Sequence, residues 1–94
     1  MDKVQSFKQI VNDMSELYAR KNHDYGDSFT QTVDEFGLVA PAIRLSDKLN
    51  RFKSLIQKST LQVTDEKVED TLIDMASYAI MTVIWLKEHD LSSK

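Results

Sequence analysis

The chain has 94 residues, 41% of them hydrophobic and 29% charged, with one proline and no cysteine. Disulfides, thiolate metal sites and cysteine nucleophiles are therefore excluded. A net charge of −3 speaks against direct nucleic-acid binding, which draws on a basic excess. The longest apolar run, Ile73 to Leu86, falls short of the ~20 residues that span a bilayer. Met1 to Gln9 reads as polar and helical rather than as a signal segment, so the expected location is the cytoplasm. One small domain over residues 1–94 is expected, and it is short for a self-sufficient core.

Val4, Phe7, Val11, Met14 and Tyr18 recur at three- and four-residue steps, with Ile10 and Leu17 beside them. This spacing predicts an amphipathic helix from about Asp2 to Lys21. Lys3, Lys8, Asp13, Glu16 and Arg20 fall largely outside the stripe and read as a solvated face. Turn formers follow in KNHDYGDSF, Lys21 to Phe29, where Gly26 can take backbone angles that other residues resist. The loop is either a polar helix connection or a ligand-facing segment. In the second case its aromatic stacks on a base and its polar groups hold a sugar or metal. Ser28-x-x-Gln31 and Thr32-x-x-Glu35 have capping-box spacing and predict a short helix from about Phe29. Gly37 is its expected stop.

Pro41 suits the first turn of the next helix, which is expected to run to about Lys58. A polar connection, Ser59 to Thr64, leads to a long helix capped by Thr64 or Asp65. No alternating run with hairpin punctuation occurs. The expected fold is all-α, a small bundle of about four helices. From Ile73 to Leu86 the last helix is apolar on nearly every face, which predicts burial in a core or between subunits. A homo-oligomer, dimer or tetramer, is the natural remedy for so short a chain. Trp85, Met75 and Met81 read as core. His23 and His89 lack spaced partners, so zinc is not expected.

The helix from Pro41 separates into three faces. Leu45, Leu49, Phe52 and Ile56 form the expected core stripe, and Ser46, Asn50, Lys53 and Gln57 the solvent face. Arg44, Asp47, Lys48 and Arg51 make a charged boundary stripe between them. On the last helix Asp70, Asp74 and Ser77 share one stripe that continues into Met81. Asp74 lies within apolar surroundings, and burying a carboxylate unpaired costs several kcal/mol or forces it to take up a proton. Something must meet it. One answer is an ion pair with Arg51 or Lys48. The other is Mg²⁺, a hard cation that prefers oxygen ligands and brings phosphates, which the basic stripe would hold.

KNHDYGDSF, then R-x-x-D-K-x-x-R at Arg44–Arg51, then EDTLIDMASYAIM at Glu69–Met81, resemble the family called nucleotide modification associated domain 1, found largely in phages and bacteria. The family looks like a distant relative of MazG-like all-α nucleoside triphosphate pyrophosphohydrolases. The resemblance covers about Lys21 to Leu86. It implies cleavage of a triphosphate to monophosphate and pyrophosphate with Mg²⁺, in the host cytoplasm if the protein is phage-encoded. The MazG-like pattern holds Mg²⁺ with E-x-x-E on one helix and E-x-x-D on the next. Asp74 matches the final Asp, while Thr71 stands in place of the Glu before it, with Glu69 and Asp70 adjacent. On the preceding helix Asp47 is the one acid on the relevant stripe, and Asp34 and Glu35 lie nearer the start of that region.

The hydrolase expectation gives Asp47, Asp70 and Asp74 to the metal and makes Glu69 and Asp74 catalytic, Glu69 orienting the attacking water. Substrate would be held by Lys21, His23, Tyr25, Arg44, Lys48 and Arg51. Two alternatives stand beside it. The same cleft binds or sequesters a nucleotide without cleaving it, or the chain is a purely structural oligomerisation domain.

Overall fold

The computed structural model is all-helical, and it describes residues 2–22, 26–57 and 61–89, with the side chains of 61–67 left aside. Four helices follow in order: α1 (Lys3–Lys21), α2 (Gly26–Phe36), α3 (Val39–Gln57) and α4 (Leu61–Glu88). The expected all-α class is the observed one.

Local chemistry explains most of the boundaries. Asp2 caps α1 in extended conformation, its carboxylate accepting the Val4 N–H at 3.1 Å. Arg20 and Lys21 occupy the last turn, where cations suit the negative end of the helix. Helix α2 starts at Gly26, earlier than the capping-box spacing predicts. Ser28 is inside the helix, and the Thr32 hydroxyl donates to the Ser28 carbonyl at 3.0 Å instead of capping anything. The early start depends on a missing side chain, because a Cβ on Gly26 would run into the Asn22 amide oxygen and lie 2.7 Å from the Tyr18 hydroxyl. The end of α1 can press against the start of α2 only across glycine.

Gly37, at φ 76°, ends α2, and its N–H bonds back to the Val33 carbonyl at 2.7 Å. That left-handed residue is the common glycine stop. Helix α3 then begins at once, with Pro41 in its first turn as expected. Helix α4 begins at Leu61, so Thr64 and Asp65 lie inside it instead of capping it. No glycine or proline interrupts 61–65, and an established helix extends cheaply. Ser59 lies outside the described residues.

The core is small. Phe29 and Val33 from α2, Ala40 from α3, and Met81 and Trp85 from α4 are buried together, with Tyr18, Tyr78 and Leu86 packed around them. Met81 and Trp85 are core, as their spacing predicts, whereas Met75 is only half-buried. Helix α3 packs along α4 as the most extensive pair, and α2 lies against both, while α1 packs only sparsely. The expected core stripe of α3 is only partly covered: Leu45 and Phe52 are half-buried, Leu49 and Ile56 exposed. Within a single chain α4 is not enclosed all round either, since Leu72, Ile80, Val83 and Ile84 stay exposed.

One polar contact ties this core together. The Trp85 indole N–H donates to the Asp34 carboxylate at 2.9 Å, linking α4 to α2. The His89 ring stacks on Trp85 at 3.9 Å between centroids, and its Nε2 lies 3.5 Å from the same carboxylate. Asp34→Ala is expected to lower stability by about 1 kcal/mol, since a largely buried donor loses its partner. Thermal unfolding followed by fluorescence of the single tryptophan would measure it. An unchanged midpoint would show that water replaces the carboxylate freely.

Candidate functional site

The α3–α4 pair brings the two sequence-predicted charged stripes face to face. Lys48 Nζ sits 2.9 Å from Asp74 Oδ2. One turn earlier on α3, the Arg44 guanidinium lies over the Tyr78 ring, 5.9 Å from its centroid, within range of a cation–π attraction. Tyr78 in turn packs on Phe29, ring centroids 5.6 Å apart. The contacts 44–78 and 48–74 define one antiparallel register. It sets Arg51 level with Asp70 and Thr71.

The cation that meets Asp74 is Lys48, one of the two the sequence offers, although Asp74 is not buried as its apolar surroundings predict. The pair is half in water: Lys48 is 29% exposed and Asp74 43%. Such a contact contributes about 0.2–1 kcal/mol, because water screens it and two flexible side chains must be held. Thr71 is buried and makes an interaction within the fold, consistent with a structural place beside the acids.

Arg44, Asp47, Arg51, Glu69 and Asp70 are exposed, and none forms a salt bridge with another described residue. Lys21 is exposed in the last turn of α1. His23 and Tyr25 lie outside the described residues. Among the described residues no group of three or more carboxylate or imidazole side chains converges as a metal centre requires. Magnesium favours near-octahedral oxygen coordination. Asp47, Asp70 and Asp74 as arranged do not supply it, and an ammonium nitrogen already occupies one oxygen of Asp74. Among the described residues, then, the carboxylates do not gather into a magnesium site.

Sequence reading missed the Asp34–Trp85–His89 cluster. Asp34 entered it as an acid near the expected metal region, but the structure commits it to the indole. The i, i+4 spacing of Trp85 and His89 was the available signal, and nothing local to it pointed to α2. A cleft of about 290 Å³ also opens between α1 and α4, lined mainly by apolar side chains including Val11, Met14, Tyr18, Ile80 and Ile84.

The described residues thus form a small all-α domain with a charged edge along its main helix pair. Residues 21–86 match the family described as nucleotide modification associated domain 1, and the chain belongs to that family. No curated protein and no solved structure matches the chain. Among the described residues no helix is long and apolar enough to cross a membrane.

A double-mutant cycle on Lys48→Met and Asp74→Asn, read by chemical denaturation, is expected to give a coupling of about 0.2–1 kcal/mol. A coupling above about 2 kcal/mol would show a desolvated structural lock instead.

Proposed function

We propose that this domain binds a nucleotide through its phosphates at the α3–α4 edge, without a metal ion and without cleaving it. Arg44, Lys48 and Arg51 occupy successive turns of α3, and guanidinium and ammonium groups at that spacing suit a chain of phosphates. The observation that carries the reading is the Lys48–Asp74 contact, which puts a cation where the hydrolase reading needs a metal ion. The family description agrees with a nucleotide ligand at this coarse level. Pyrophosphohydrolysis through Mg²⁺ on Asp47, Asp70 and Asp74, with Glu69 orienting water, draws chiefly on the MazG-like resemblance.

Calorimetry with a panel of ribo- and deoxyribonucleoside triphosphates, in Mg²⁺ and in EDTA, tests it. Binding is expected to survive the chelator and to weaken about tenfold in Arg51→Ala, as for loss of one charge-assisted contact. Asp74→Asn is the sharper variant. It releases Lys48 and removes a repelling carboxylate, so binding should tighten severalfold, whereas a metal-dependent hydrolase would lose activity. Monophosphate and pyrophosphate formed only with Mg²⁺ would overturn the reading and restore the hydrolase.

A further inference from the structure

We infer that Tyr78 is a positioning residue of the charged edge, its ring holding Arg44 as the preset member of the phosphate clamp. The inference rests on the nucleotide reading above and assigns unequal roles to the cations within it.

The three cations of α3 are held in three different ways. Lys48 is paired with the Asp74 carboxylate at 2.9 Å. Arg51 is exposed, with neither an ion pair nor an aromatic ring against it among the described residues. Arg44 is exposed as well, yet its guanidinium lies over the Tyr78 ring, 5.9 Å from the centroid.

That difference matters to a phosphate. A carboxylate partner takes up N–H donors and sets a negative charge where the phosphate has to come. An aromatic face attracts the cation through its quadrupole and brings no net charge. Arg44 therefore keeps the planar fork of donors that suits a phosphate. Its long side chain also gives up part of its freedom before the ligand arrives. Ordering an arginine at the moment of binding is costly, and ordering it beforehand lowers that cost.

The ring is itself held. Tyr78 is half-buried, packs on Phe29 with centroids 5.6 Å apart, and makes a further interaction within the fold. Phe29 belongs to the core shared by α2, α3 and α4. The platform under Arg44 is thus anchored in the core, while Lys48 answers only to a half-exposed acid and Arg51 to no described partner. A ring that served packing alone would stabilise the fold and leave the phosphate affinity of Arg44 untouched.

Calorimetry on the full chain in EDTA, with ATP and inorganic tripolyphosphate as probes, separates the two roles. Tyr78→Leu is expected to weaken both probes about two- to fivefold, the bias an exposed cation–π contact can impose. Tyr78→Phe keeps the ring and should recover most of that loss. In an Arg44→Ala background, Tyr78→Leu should weaken neither probe further. The same loss in both backgrounds would mark a packing role and overturn the inference. So would an equal loss in Tyr78→Phe, which would put the effect on the hydroxyl. A second measurement needs no substitution at position 78 and so survives a Tyr78→Leu chain that fails to fold. In the ligand-free protein the Arg44 Nε–H proton, assigned by its loss in Arg44→Lys, should resonate upfield under the ring, and an unshifted signal would overturn the inference. Wild-type binding that ignores Tyr78→Leu would overturn the positioning role and leave the nucleotide reading standing. A wild type that binds neither probe would overturn both.

Discussion

The antiparallel pairing of α3 with α4 is the constraint from which the rest of the described fold follows. Its two ends are held by different physics. Where α2 closes over it, Phe29, Val33, Ala40, Met81 and Trp85 bury one another, and full burial of a large apolar side chain stabilises by about 1.5–3 kcal/mol. Further along, the seam is polar, with Lys48 on Asp74, an interaction worth less than one such side chain. The pair is therefore strongest at the α2 end and loosest toward Arg51. The charged edge belongs to the loose end, where side chains can exchange partners without disturbing the core.

Much of this was legible in the sequence because it is local. The start of α1 near Asp2, the Gly37 stop and the placement of Pro41 depend on a few neighbouring residues and on backbone angles only some of them adopt. Charged groups that meet across helices were half legible. Asp74 within an apolar run demanded a partner, and the candidates were few enough that Lys48 was among them. What the pattern could not give was exposure. An all-round apolar helix does not say which side its own chain covers, so Ile80 and Ile84 could not be told from Met81 and Trp85.

The start of α2 shows the same limit from another direction. Ser28 and Thr32 offer capping chemistry, yet the helix begins at Gly26, which lies close against Tyr18 of α1 and its C-cap Asn22. A tertiary approach overrode a local preference. Asp34 is similar. Its carboxylate is one acid among many until the fold brings an indole N–H from 51 residues away to meet it.

The half-exposed state of the Lys48–Asp74 pair decides what kind of feature it is. Breaking a buried ion pair costs about 3–5 kcal/mol, since it strands a charge away from water. Here both groups reach solvent, so either can be released for a small fraction of that. A carboxylate in this position holds the lysine in a defined place while remaining cheap to displace. On the proposed reading, an incoming phosphate needs cations that are available at low cost. A divalent ion needs several oxygens already gathered. On the proposed reading the three cations on successive turns of α3 serve the first requirement, while Asp47, Asp70 and Asp74 form no converging group among the described residues.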